Sequence, residues 1–291
     1  EGEDVSTGAG ALSTDGGAAA MGTAAGRLLA WDVTGTRAVQ VADLRVAPDA
    51  VVLVLFVPED GSVLAFGRAG AVARVALRGS EAGTVVDQTK LAHPTLTAAV
   101  RADGLLAVAD DTGRVHLLDV DDLGVTVGSI TPGSNVYGMD FAPAGDRLAV
   151  SLSDETVRFY DVGDPASPEA VGDALTGPTS ILNSVKYSPD GERLAAAAIA
   201  GRAWVYERSG DGWSATEVLR AGLVNLQDVA WSADGSVLLG GALSGRTRLW
   251  LTDVEGAVAA VCAGIGEDIT QDEWEGLLPG TDFAPPCAGG G

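Results

Sequence analysis

At 291 residues and 46% apolar composition, the chain can bury a full core, either as one large all-β domain or as two small ones. Its longest apolar stretch, residues 50–57, is of strand length and far short of the ~18 consecutive apolar residues of a membrane span, so no direct membrane insertion by this segment is expected. The net charge of −22, with only two lysines (Lys90 and Lys186) and arginines scattered singly, argues against nucleic acid as a partner, since phosphate binding needs clustered cations.

Residues 1–6, small and acidic, read as an N-terminal linker or a closing strand. The first residue is Glu1, which fits a processed terminus or a piece of a longer protein. From residue 7 to 252 a repeat dominates. Tight-turn glycines stand at Gly16, Gly61, Gly104, Gly145, Gly191 and Gly235, separated by 45, 43, 41, 46 and 44 residues. That period is near the ~40–45 residues of a four-stranded propeller blade.

Within each repeat an Asp-Gly or Gly-Asp turn is followed by a small, apolar run, as at 147–152 and 193–198, which suits a strand buried on both faces. A second turn follows at Gly70, Gly113, Gly201 and Gly245. The next strand alternates, as in Thr156-Val157-Arg158-Phe159, and ends at Trp31, Leu118, Tyr160, Tyr206 or Trp250. Six such units predict an all-β fold: a closed, six-bladed β-propeller of four-stranded blades, since a lone blade cannot bury its own faces.

These rows resemble WD repeats. Trp31-Asp32, Leu118-Asp119, Tyr160-Asp161 and Tyr206-Glu207 stand where that family carries its Trp-Asp pair, and FAPAGD, YSPDG and WSADG resemble its turn before the second strand. The resemblance implies blades ordered d, a, b, c, with the outer d strand crossing to the next blade. On that frame the chain begins at strand a of blade 1 and reaches strand c of blade 6 at Leu249-Trp250. Blade 6 then lacks an outer strand, which residues before Thr7 could supply. The family's Gly-His survives only as Ala92-His93, so the blades are expected to rely on apolar packing. Blade 2, without a Trp-Asp pair, is expected to be the least regular.

After Asp253 the period becomes helical, and residues 253–291 read as a separate tail. Asp253 is a candidate N-cap for Val254, Val258, Val261, Cys262 and Ile265. Thr270 and Glu273 form a capping box ahead of Trp274 and Leu277, and Pro279-Gly280 ends that helix. The tail resembles the C-terminal signature of large actinobacterial WD-repeat proteins, matched at Cys262, Ile269, Thr270, Glu273, Trp274, Leu278, Pro279, Gly280, Phe283 and Cys287. In those proteins the repeats are often joined through a membrane helix to a STAND-type NTPase, a kinase or a protease. Cys262 and Cys287 read either as a disulfide or as two small core residues. The resemblance favours the bond, and with it an extracytoplasmic location tethered through an upstream membrane segment, with a cytoplasmic location as the alternative.

No motif for a nucleophile elbow, a phosphate-cradling loop or a cofactor is found. His116 is expected to face outward on its alternating strand, and His93 to hold a blade-entry position. The acidic group Asp110-Asp111 and Asp119–Asp122 lacks the ligand order of a calcium loop. Hence no catalytic, cofactor or metal residue is assigned, and the reading is a non-catalytic platform for a protein or peptide. The alternative is an extracytoplasmic propeller hydrolase of lactonase type. The expected interaction face comprises His93, Tyr137, Asn183, Leu223, Asn225 and Gln227 on the d–a loops and the channel mouth. Trp31, Asp32, Asp119, Tyr160, Asp161, Tyr206 and Trp250 are expected to be structural.

Overall fold

The computed structural model describes residues 7–210, 212–222, 225–253, 256–258, 262, 270–277, 279–282 and 287. Six antiparallel sheets follow one another along the chain. Blade 1 holds β1 (Thr7–Leu12), β2 (Ala18–Thr23), β3 (Arg27–Asp32) and β4 (Val39–Arg45), and blade 2 holds β5 (Val51–Phe56), β6 (Val63–Gly67), β7 (Ala71–Ala76) and β8 (Thr84–Lys90). Blade 3 holds β9 (Thr95–Val100), β10 (Leu105–Asp110), β11 (Val115–Asp119) and β12 (Asp122–Ile130). Blade 4 holds β13 (Val136–Phe141), β14 (Arg147–Leu152), β15 (Val157–Asp161) and β16 (Glu169–Leu175). Blade 5 holds β17 (Leu182–Tyr187), β18 (Arg193–Ala198), β19 (Arg202–Ser209) and β20 (Gly212–Arg220). Blade 6 holds β21 (Leu226–Trp231), β22 (Val237–Ala242) and β23 (Thr247–Leu251). The chain is therefore an all-β, six-bladed propeller.

Local chemistry explains the turns. In blades 1, 5 and 6 a serine hydroxyl (Ser13, Ser188, Ser232) donates to the aspartate two residues on, and that carboxylate accepts the amide two residues further. This closes the loop between the first two strands and sets the hairpin register. At the second turn Gly70, Gly113, Gly201 and Gly245 take positive φ, whereas blade 4 places Glu155 there at φ 69°.

In blades 2 to 5 the second strand is sandwiched between neighbours on both faces, and β6 and β10 are buried along their whole length. Small apolar residues let blades approach closely on both faces. Five buried apolar clusters result, joining blades 1 and 2, 2 and 3, 3 and 4, 4 and 5, and 5 and 6. Among the described residues no such cluster joins blade 6 to blade 1. The outer strand expected from residues before Thr7 lies outside the described residues.

The singly scattered arginines staple neighbouring blades. Arg74 donates to the Val120 carbonyl and to Asp121, Arg101 to the carbonyls of Gly145 and Val162, and Arg193 to those of Gly235 and Thr252. Each guanidinium thus satisfies backbone acceptors at the rim of the following blade. Blade 2 is not the least regular, contrary to expectation. It is a complete four-stranded sheet, because Val75 fills the position of the Trp-Asp strand end as a fully buried packing residue. Blade 6 is the three-stranded sheet among the described residues.

In the tail, the Gly256 amide donates to the Asp253 carboxylate at 2.6 Å, as an N-cap should, and residues 256–258 and 262 are helical. Val254, Val261, Ile265 and Ile269 lie outside the described residues, as do Leu278 and Phe283. Helix α1 (Gln271–Leu277) opens with the predicted capping box: the Thr270 amide donates to Glu273 at 2.9 Å, and the Glu273 amide donates to the Thr270 hydroxyl at 3.3 Å. The sulfurs of Cys262 and Cys287 are bonded.

Candidate interaction face

The inner strands β1, β5, β9, β13, β17 and β21 surround the propeller axis. Each carries a β-bulge near its start, where one residue drops out of register with the neighbouring strand. The skipped residues are Gly8, Val52, Leu96, Tyr137, Asn183 and Gln227, one per blade. A bulge leaves its extra residue unpaired and re-aims its side chain. Here the positions follow directly on the d–a loops, so they gather at one end of the axis. Leu96 and Gln227 are exposed there, and Val52, Tyr137 and Asn183 are partly buried.

The face is divided in character. Val52, Leu96 and Tyr137 form an apolar arc on blades 2 to 4. Blades 5 and 6 supply amides bonded to one another: Asn183 donates to the Leu226 carbonyl at 3.0 Å and to Asn225 at 3.4 Å, and Gln227 donates to Asn225 at 2.6 Å. Asn225 takes positive φ (62°), a conformation asparagine tolerates, and its backbone bonds Ile199 and Leu243. Thus Asn183, Asn225 and Gln227 come together, and Tyr137 holds the equivalent bulge on blade 4. His93 is half-exposed at the corner of blade 3, with Nδ1 3.7 Å from Asp111. Leu223 lies outside the described residues. Sequence reasoning missed Val52 and Leu96, although both stand four residues before the residue that closes the inner strand, as Tyr137 does.

Farther along the inner strands lies charge that the sequence reading did not anticipate. Lys186 sits 3.6 Å from Asp140, which also accepts the Tyr187 amide at 2.8 Å, and the Ser184 hydroxyl donates to Asp228. Burial opposes the charge on Lys186, but the carboxylates of Asp140 and Asp228 outweigh it and hold the ammonium above the ordinary lysine value. Burial pushes the Asp140 carboxyl up in spite of Lys186. Among the described residues no three acids, histidines or cysteines are grouped to hold a metal ion.

The acidic group of blade 3 is split between the two ends of that blade. Asp110 lies where β10 ends, whereas Asp119 pairs with Leu105 at its start. Asp119 accepts the Asp121 amide, Asp122 that of Gly124, and Asp121 meets Arg74. His116 does not face outward. It is only 24% exposed, and its Nε2 lies 2.8 Å from the carboxylate of buried Asp110, which also accepts from the Thr112 hydroxyl and from the amides of Thr112 and Arg114. Of the residues expected to be structural, Asp32 and Asp161 accept turn amides from Thr34 and Gly163, and Tyr160 and Tyr206 are buried between blades. Trp250 is partly buried against the blade 5–6 core, and Trp31 is partly buried on blade 1.

At the opposite end a cavity of about 800 Å³ opens between blades 4 and 5, with Phe159, Tyr187, Tyr206 and Trp213 among its walls. Trp213 stacks on Phe159 with ring centroids 5.7 Å apart. The sequence signal was weak, a single tryptophan in a largely exposed outer strand.

Residues 124–161 match the WD domain, G-beta repeat family. That span takes the outer strand of blade 3 and the first three strands of blade 4, the offset repeat frame that the sequence implied. The chain is 27% identical over 124 residues to the chromatin assembly factor 1 subunit FAS2 homolog of Oryza sativa subsp. japonica, a match covering 40% of this chain and 25% of that protein. Against WD repeat-containing protein 1 of Mus musculus it is 28% identical over 142 residues, covering 47% and 23%. Against Coronin-7 of Bos taurus it is 28% identical over 187 residues, covering 61% and 20%. The chain therefore spans about a quarter or less of the length of these relatives. A chain in the crystal structure of the mitotic checkpoint complex superposes with a TM-score of 0.74 at 16% identity, covering 87% of this chain and 76% of that one, a likeness of fold.

Proposed function

From a six-bladed propeller with a WD repeat at its centre, we propose a non-catalytic protein-binding platform whose partner seats on the bulge ring. The supporting observation is the conserved geometry of the bulges: one unpaired residue per blade, turned to a common end. A partner crossing the axis can touch every repeat from that end. The apolar arc of Val52, Leu96 and Tyr137 supplies contact area, and the Asn183–Asn225–Gln227 cluster supplies donors and acceptors already held in place. This mixture favours hot spots, because little ordering entropy is lost on binding.

The disulfide between Cys262 and Cys287 supports an oxidising, extracytoplasmic setting. The tail's resemblance to actinobacterial WD-repeat proteins supports a place at the C-terminal end of a larger, membrane-tethered signalling protein, with the propeller as its sensor. The test is the affinity of the protein that co-purifies with the full-length gene product, measured by titration calorimetry. Tyr137→Ala and Leu96→Asp should each weaken it about tenfold or more, as loss of a hot spot does. Val125→Asp, on the outer strand of blade 3, should leave it unchanged. Unchanged binding in both face variants, with the fold intact, rejects this docking face.

A further inference from the structure

One seam of the propeller is built to receive something. By pairing register, Leu12 on blade 1 (opposite Ala19) is the counterpart of Phe56, Phe141 and Tyr187, which stand opposite Val63, Leu148 and Leu194. Those three close their inner strands against the preceding blade and are 7%, 9% and 8% exposed, whereas Leu12 is 71% exposed. On blade 6, Leu239 stands opposite Leu249, as Ala149 does opposite Phe159 and Ala195 opposite Val205. Those four are at most 5% exposed between blades, yet Leu249 is 65% and Leu239 39% exposed. Leu243 and Leu251 extend the exposed apolar area of blade 6. One face of blade 1 and one of blade 6 thus carry residues of inter-blade type with no core between them among the described residues.

The path of the chain points to what fills the gap. At every junction the outer strand of one blade leads through four to six residues into the inner strand of the next. By the same rule, polypeptide entering β1 comes from an outer strand on the open side of blade 1. Blade 6 in turn offers β23 as its last strand among the described residues, an edge with unpaired backbone groups. A single object meets both needs. We propose that the polypeptide immediately N-terminal to Glu1 forms a further blade, seated between blades 6 and 1. Its first strand completes the outer edge of blade 6, and its last leads into β1. One repeat and one added strand amount to on the order of 50 residues. The insertion buries both apolar faces and abolishes the edges at this seam. This inference is independent of the docking face.

Thiol accessibility tests it. Leu12→Cys and Leu249→Cys variants are made both in the full-length gene product and in the chain from Glu1, kept oxidised so that Cys262 and Cys287 stay bonded, and labelled with a maleimide. Leu239→Cys replaces Leu249→Cys should the latter fail to fold. Both thiols should label at least ~10-fold more slowly in the longer protein, as burial in a folded unit requires. A Val125→Cys control should label alike in both. Equal rates at the seam in the two proteins overturn the proposal, as does a gene product with nothing upstream of Glu1. Protection already present in the shorter chain also overturns it: concentration-dependent protection assigns the seam to a second copy, and concentration-independent protection assigns it to the chain's own tail.

Discussion

Asp110 shows how much a single side chain can organise. Burial alone would raise its carboxyl, but the Thr112 hydroxyl, His116 and the amides of Arg114 and Thr112 outweigh that and hold it below the ordinary value of 3.8. A carboxylate so held contributes stability that is fully present above the ordinary value and is lost as pH falls through the lower, folded one. Asp110→Asn should therefore cost about 1–3 kcal/mol near neutrality, the loss expected for a buried, charge-assisted network. The gap between variant and parent should close below pH 4. Urea unfolding at a series of pH values measures it, and a gap that stays constant into acid would mean the charge contributes nothing. The sequence displayed Asp110 as one of a group of acids. Only the fold separates it from Asp119, at the far end of the blade.

At the scale of elements, the inner strands combine bulges with close approach. A β-carbon on Gly138 would lie 2.6 Å from the Ser184 Cα and 3.0 Å from the Asn183 carbonyl, both backbone of the neighbouring blade. Neither can yield without separating β13 from β17. Gly138→Ala should destabilise the protein by about 1–3 kcal/mol, the usual cost of overpacking. Gly241→Ala, where nothing lies within 4 Å of the added carbon, should be near neutral by comparison. Denaturant midpoints for the two variants decide the matter, and equal midpoints would show that the blades part easily. The capping box at Thr270 was legible because its residues are three apart in sequence. Gly138 was not, since its neighbour is a repeat away.

For the whole molecule, charge and closure are the governing quantities. Eighteen cations serve a chain with 40 acids, and several of them are fixed as staples between blades rather than displayed as a surface. Self-repulsion among the remaining acids should be screened by salt, so raising NaCl from 0.02 to about 0.3 M should raise the melting temperature by a few degrees, given a Debye length that falls well below the size of the molecule. Scanning calorimetry across that range checks it. A falling melting temperature would mean that screening of the arginine staples outweighs relief of the repulsion.

The repeat period, the turn residues, the small apolar second strands and the helical tail were readable from the chain alone. Each depends on residues close in sequence, where φ preferences and side-chain periodicity act. Tyr137, Asn183 and Gln227 were singled out this way, because the repeat places them at equivalent positions before the turn. The tertiary structure decided what depends on neighbours a full repeat away. It placed His116 on a buried carboxylate, turned single arginines into staples, set Lys186 between Asp140 and Asp228, and left Leu12 and Leu249 exposed where their counterparts are buried. A repeat announces what its blades are made of. Which faces are covered is settled by the ring, because burial in a propeller comes from adjacent blades.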